Sequence, residues 1–261
     1  MYLEDGRVLA LAHRGGAYHP ELEGLENTLS AFRHAAALGY DYLETDVHVT
    51  RDGVLLAFHD DVLDRVTDRI GAVADQTLAE IREARIAGRE EIPTLAELVD
   101  AFPGARFNID LKSAGAVTAL AGFIAERDLW DRVLVGSFSP ARIRAFRRLT
   151  GGRVPTAAHP GEIIAFRFLP SARLAHRLAG RGFVAFQVPH RRLGVRIATS
   201  GLVRRAHAAG KQVHVWTVDD PAEMEELLDR GVDGLFTDRT DLLKDVLVAR
   251  GQWRPQQGGT A

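Results

Sequence analysis

The chain has 261 residues, 46% hydrophobic and 26% charged, with a formal net charge of −2 and no cysteine. That length suits one large core, and the near-neutral balance points to neither nucleic acid nor membrane as a partner. Without cysteine there is no disulfide framework, no thiol nucleophile and no thiolate metal site.

Residues 8–12 form a short apolar run that stops abruptly at His13-Arg14-Gly15-Gly16, as a buried parallel strand does. A polar loop reaches Glu26. Asn27 has the character of an N-cap, Leu29, Phe32 and Ala36 share a helical face, and Gly39 is the stop. Residues 40–49 are aromatic and β-branched enough for a strand. Arg51-Asp52-Gly53 then turns the chain into a further strand, 54–58, which ends at His59-Asp60-Asp61.

From residue 60 to about 92 the alternation breaks into a polar, turn-rich excursion with one helical piece near 78–84. It resumes where Thr94 and Glu97 have capping-box spacing ahead of a helix. Strands are predicted at 106–112, 133–136, 154–157, 183–187, 212–216 and 234–237. Helices lie near 116–127, after Ser139-Pro140, near 171–179, near 201–209, after Asp220-Pro221 and at 242–249. About eight strands alternating with helices predict an α/β fold, a (β/α)8 TIM barrel spanning residues 1–251. The excursion at about 60–92 is a small insertion after the second strand region. The Gln/Gly/Pro-rich tail, 252–261, is expected to be disordered. The first residues lack a basic region followed by an apolar run, and no apolar stretch approaches the ~20 residues of a membrane span. A cytoplasmic location without stable membrane insertion is the default expectation.

In a barrel of this kind reactive residues sit at the C-terminal ends of the strands. Those ends supply His13-Arg14, Glu44 and Asp46, His59-Asp60, Asp110 and Lys112, Trp216 and Asp238. Alternate strand residues point to one face, so Glu44 and Asp46 project together while Thr45 points away. Two such carboxylates repel each other unless a cation or a proton sits between them. The plain alternatives are a barrel salt bridge to Lys112, structural histidines, a surface or capping role for Arg14, and an ordinary turn at Gly15-Gly16. His19, His34, His159, His176 and His207 fall in loops or on helices and are assigned no chemistry. His48, His190 and His214 are weak candidates.

Read in order, His13-Arg14-Gly15, Glu26-Asn27-Thr28, Glu44-x-Asp46, His59-Asp60, Leu63-Asp64-Arg65-x-Thr67, Ile92-Pro93-Thr94-Leu95-x-Glu97, Asn108-Ile109-Asp110-Leu111-Lys112, Val215-Trp216-Thr217 and Gly231 to Asp238 resemble the glycerophosphodiester phosphodiesterase family over residues 8–249. The resemblance implies a barrel with a small insertion and one divalent cation, Mg²⁺ or Ca²⁺, held by Glu44, Asp46 and Asp110. It also implies acid/base roles for His13 and His59, phosphate contacts from Arg14 and Lys112, and Trp216 and Asn27 among the substrate-binding residues. The third ligand position is usually Glu in that family; Asp110 retracts the oxygens by about an ångström.

The residue types agree with the implied chemistry. A phosphodiester resists nucleophiles, so its charge must be neutralised and its leaving group protonated. Carboxylates suit a hard cation, a guanidinium binds phosphate bidentately, and two histidines can exchange protons with the attacking and leaving oxygens. The resemblance implies hydrolysis of glycerophosphodiesters to an alcohol and sn-glycerol 3-phosphate, through a cyclic phosphate formed by the substrate's own 2-hydroxyl. Lysophospholipase D action is a close alternative, with Phe166, Phe168, Leu169 and Phe183 as candidate lining of an apolar groove. A phosphate-binding barrel without turnover is a further one. Separately, residues 163–218 contain no Asp or Glu but ten Arg plus Lys. Part of this stretch, including Arg191 and Arg192, is expected to steer an anionic substrate into the mouth, the alternative being a solvated surface.

Overall fold

The structure, a computed structural model, describes residues 2–3, 6–177 and 181–254. In chain order the elements are β1 (Leu9–Ala12), α1 (Leu29–Leu38), β2 (Tyr42–Val49), β3 (Leu55–Ala57), α2 (Leu78–Ile81), α3 (Leu95–Ala101), β4 (Arg106–Leu111), α4 (Gly115–Glu126), β5 (Val133–Gly136) and α5 (Pro140–Leu149). They continue as α6 (Pro160–Phe168), α7 (Ala172–Ala175), β6 (Ala185–Pro189), β7 (Arg191–Arg192), β8 (Val195–Arg196), α8 (Ser200–His207), β9 (Gln212–Trp216), α9 (Pro221–Asp229), β10 (Gly234–Thr237) and α10 (Thr240–Ala249).

The sheet runs β5-β4-β2-β1-β10-β9-β6, all parallel. Between its ends the strand expected at 154–157 shrinks to two parallel bridges, Val135 to Thr156 and Ala157 to Ala185. These bridges join β5 to β6 and complete the TIM-barrel ring. β3 pairs antiparallel with β2 as a hairpin extension.

Strand alternation sorts the apolar residues into two layers. Leu43, Phe107, Ile109, Val133, Val135, Phe186, Val213, Val215 and Leu235 face outward and meet the helices in the main core. Leu9, Leu11, Tyr42, Leu134, Ala157 and Phe236 face inward with Tyr2, whose carbonyl accepts from the Tyr42 hydroxyl, and fill the floor of the barrel. Each large side chain buried this way contributes about 1.5–3 kcal/mol. The segment between β3 and α3 has its own small cluster around Leu63, Val73, Ile81, Ala84, Ile86 and Ile92.

Four local expectations change. Thr28, not Asn27, caps α1, its hydroxyl accepting from Ala31 N, while Asn27 turns inward with a φ of 59°. α6 was not anticipated, although His159, Pro160 and Glu162 supply its capping box and N1 proline. The β7–β8 hairpin was not anticipated either. Of the tail expected from Gln252, Trp253 stacks edge-on against Tyr40, and residues 255–261 lie outside the described residues. The helical reading at 171–179 is met by α7, with residues 178–180 outside them. Among the described residues, no helix is long and apolar enough to cross a membrane.

Candidate active site

Register builds the mouth. Ala12 pairs with Leu43 on one side and Thr237 on the other, so the next residue, His13, stands level with Glu44 and Asp238. Its Nδ1 lies 3.0 Å from Asp238 Oδ1 and its Nε2 3.9 Å from Glu44 Oε2. Burial pushes the imidazole pKa down, but Glu44 and Asp238 outweigh it and lift it to about 9. The chain then turns sharply through Arg14, Gly15 and Gly16, all at positive φ. A Cβ on Gly15 would sit 2.8 Å from Ala31 Cβ, and one on Gly16 2.6 Å from Thr240 Cγ2, so only glycine lets this turn lie against α1 and α10.

The turn aims Arg14 across the carboxylates. Its backbone N–H donates to Glu44 Oε2 at 3.0 Å, its Nε lies 3.1 Å from Asp46 Oδ2, and its guanidinium donates to Glu26 at 3.0 Å. β2 and β4 align Asp46 with Asp110. The Lys112 ammonium stands between them, 3.0 Å from Asp46 and 2.6 Å from Asp110. Asp110 is in turn level with Gly136. From the far side of the barrel, Gln187 Nε2 donates to Asn108 at 2.6 Å.

Burial weighs against charge where the cluster is deepest. Burial raises the Glu44 carboxyl to about 7, Asp46 adding to the rise while His13, Arg14 and Lys112 oppose it. Burial also raises Asp110 against the pull of Lys112. Asp46 is the exception: burial pushes it up, but Lys112 and Arg14 together hold it below the usual carboxylate range.

His59 stands at the end of the β2–β3 extension. Its Nδ1 is 2.5 Å from Asp60 Oδ1, and its carbonyl oxygen is 3.0 Å from His48 Nε2. Arg65 reaches both Asp60 and Glu26, each at 2.6 Å. Although burial acts to raise it, the Arg65 hydrogen bond and His59 bring Asp60 down to about 2. A continuous path of ion pairs therefore runs from His59 through Asp60, Arg65, Glu26 and Arg14 to Asp46.

His13, Arg14, Glu44, Asp46, His59, Asp110, Lys112 and Trp216 all line one cavity of about 280 Å³. Asn27 does not line it; buried behind Asp46, its amide donates to Asp46 Oδ2 at 3.2 Å and accepts from Thr45 at 2.7 Å. Phe138, Gln187 and Ile163 line it as well and were not anticipated. Asp60 and Asp238 were read as members of the mouth but not as partners of the two histidines, a role that only the register reveals. The suggested apolar groove does not form from Phe166 and Phe183, which are buried against Phe186. Arg191 and Arg192 stand on the hairpin beyond the cavity lining. Of the weak candidates, His214 is sealed in the barrel, with burial pushing it down to about 3, and His190 pairs with Glu223.

Among the described residues, the one group of three His, Asp or Glu side chains with ligand atoms all within 4.8 Å is His19, Glu21 and His34, outside the cavity. In this conformation Lys112 separates two of the three mouth carboxylates. The mouth's donor set nevertheless fits a hard cation. It is all oxygen, and burial weighs against the charged forms of Glu44 and Asp110, a cost that a cation beside them would offset.

Three comparisons bear on this site. The model of the "Glycerophosphoryl diester phosphodiesterase family" matches residues 13–242. A Mycobacterium tuberculosis protein named "Probable glycerophosphodiester phosphodiesterase 2" is 43% identical over 255 residues, covering 97% of this chain and 95% of its own. The glycerophosphodiester phosphodiesterase of Caldanaerobacter subterraneus subsp. tengcongensis is 31% identical over 265 residues, covering 94% and 99%. Among solved structures, an Oleispira antarctica phosphodiesterase in complex with the product sn-glycerol-3-phosphate shares the fold at a TM-score of 0.74 and 23% identity, covering 92% of this chain and 96% of that one.

Proposed function

The chain belongs to the glycerophosphoryl diester phosphodiesterase family, and from that premise we propose that it hydrolyses glycerophosphodiesters to an alcohol and sn-glycerol 3-phosphate. The observation that carries this reading is the pair of histidines facing one cavity, each with a carboxylate on Nδ1, beside Arg14 and Lys112. A carboxylate on Nδ1 fixes the ring and leaves Nε2 to exchange a proton.

Arg14 and Lys112 draw the phosphate over the carboxylates. One histidine takes the proton of the substrate's glycerol 2-hydroxyl as its oxygen bonds to phosphorus. The other gives a proton to the departing alcohol oxygen as the ester bond breaks, leaving a cyclic phosphate. Water then adds at phosphorus with the two roles reversed, and the ring opens to glycerol 3-phosphate. Glu44, Asp46 and Asp110 would hold a divalent cation, Mg²⁺ or Ca²⁺, which supplies charge neutralisation at the phosphoryl oxygens. Binding alone needs no acid/base pair, which disfavours a barrel without turnover.

The test is release of glycerol 3-phosphate from glycerophosphocholine, with EDTA and with added Mg²⁺ or Ca²⁺, by the wild type, His13→Ala and His59→Ala. Release that EDTA abolishes and that each substitution lowers by roughly 10²–10⁴-fold is expected. No release with any metal overturns the proposal.

A further inference from the structure

The β7–β8 hairpin has a composition that the fold does not explain. It joins β6 to α8 and begins two residues after Pro189, at the mouth end of β6, where Pro189 pairs with Trp216. Its turn residues, Leu193 and Gly194, both have positive φ, 50° and 77°. Two-residue turns of that kind favour Asn-Gly, because a branched side chain at the first position strains the backbone. Leu193 takes that position and is 97% exposed, and Val195 beside it is 59% exposed. The leucine is therefore costly to the backbone and to hydration at once, with no packing among the described residues to offset either.

The charges around the tip are as uneven. Arg191 and Arg192 are exposed and have no carboxylate within ion-pair distance among the described residues. Arg196 leans back to Glu226 at 3.4 Å. The base, by contrast, is clamped: buried His190 pairs with Glu223 and meets Arg230, which also donates to Ala198 O at 2.8 Å. A clamped base thus presents an exposed apolar tip next to two arginines that have no carboxylate partner among the described residues, on the face of the barrel that holds the cavity.

We propose that this hairpin docks the protein on an anionic lipid surface, with Leu193 entering the acyl boundary and Arg191 and Arg192 against lipid phosphates. An apolar tip flanked by arginines complements a bilayer, which offers hydrocarbon beneath negative headgroups. A nucleic acid would use the arginines but not the leucine. The docking is peripheral, with no span, and it turns the mouth toward the surface. If the hydrolysis proposed above holds, that is where acyl-ester cleavage of phospholipids releases glycerophosphodiesters.

The experiment is co-sedimentation of the full chain with vesicles of phosphatidylcholine alone and of phosphatidylcholine with 30% phosphatidylserine (about 30 mol%, a composition that gives a strong negative surface potential), at low and physiological salt. Binding to the anionic vesicles is expected for the wild type. Arg191→Gln with Arg192→Gln should weaken it by about fivefold per arginine. Leu193→Asn should weaken it by about tenfold or more. This last variant has the residue the turn prefers, so its melting temperature should hold or rise, and lost binding is not lost folding. Absence of wild-type binding to either vesicle overturns the proposal. So does binding that survives Leu193→Asn unchanged, or equal capture on heparin by the wild type and Leu193→Asn with no vesicle binding. Vesicle binding needs no substrate, so its failure is separable from failure to hydrolyse glycerophosphocholine.

Discussion

His13 and His214 stand inside the same barrel, one lining the cavity and one sealed in the floor, and their surroundings drive them to opposite charge states. His214 sits beside Phe236 on the floor, with Gly234 making room for its ring, and its Nε2 meets the Gln212 side chain at 2.9 Å. Among the described residues no carboxylate reaches it, and burial alone pushes it to about 3. Burial pushes His13 down as well, but Glu44 and Asp238 overturn it and bring the ring to about 9. The floor is built from apolar residues and neutral polar groups that need no charged partners. The mouth, on the same strands, is built from residues that cannot be buried without them.

The largest expected effect comes from breaking the contrast at its charged end. Asp238→Asn keeps the shape but offers Nδ1 an amide that can donate, which favours the wrong tautomer and loosens the ring. We expect kcat on glycerophosphocholine to fall by roughly 10²–10³-fold with KM little changed. A variant with wild-type kcat would mean that Asp238 plays no part in holding His13.

The next effect sharpens the contrast at its neutral end. With an ordinary pKa of 6.5 unfolded and about 3 folded, His214 binds a proton in the unfolded chain before it does so in the folded one. Its neutral burial costs nothing above pH 6.5, and stability falls as pH drops from there toward 3. Between pH 7 and pH 5 this amounts to about 2 kcal/mol. Glu44 and His13, both raised, gain stability over the same window and oppose this loss, so the readout is a difference. On going from pH 7 to pH 5 the urea-unfolding free energy of His214→Leu should move about 2 kcal/mol in the stabilising direction relative to the wild type. Below that window the carboxylates held low, such as Asp60 and Asp46, add their own losses in the same direction as His214. An unchanged slope in the variant would show that His214 is not the group that titrates.

These two histidines also mark what the sequence could and could not reveal. The alternation of apolar strands and helices made the barrel legible, because a parallel strand buried on both faces reads as an apolar run with a polar stop. The polar stops made the mouth legible too: His13, Glu44, Asp46, His59, Asp110, Lys112 and Trp216 are brought to one cavity. What stayed hidden depends on lateral register, which one strand does not encode. His13 meets Asp238 across 225 positions of chain, and His214 gave no sign that its neighbours were all uncharged. Asn27 looked like a cap because Asn caps helices well, but Thr28 next to it does so as well. The strand expected at 154–157 narrows to bridges at Thr156 and Ala157, with Pro155 O accepting from Val135 N and Ala158 N donating to Ala185 O.

The smallest effect lies on the rim, where the division between floor and mouth is tested on one residue type. Phe138 is 59% exposed, while Phe236 on the floor is 3% exposed. Phe138 meets Trp216 edge-on at 5.6 Å and an interplanar angle of 84°, and the Lys112 ammonium lies 5.9 Å from its ring. Phe138→Ala removes a wall that is already wet, so stability should change by no more than about 0.5 kcal/mol. The ring also steadies Trp216 and the Lys112 ammonium at the cavity wall, so its loss is expected to raise KM by about two- to fivefold with kcat unchanged. Phe236→Ala should instead cost about 3–5 kcal/mol, the range for a phenylalanine deleted from a packed interior. Comparable melting losses in the two variants would place Phe138 in the core rather than on the rim. The charged half of the barrel would then be walled by packing, as the floor is, and not by a surface left open to substrate.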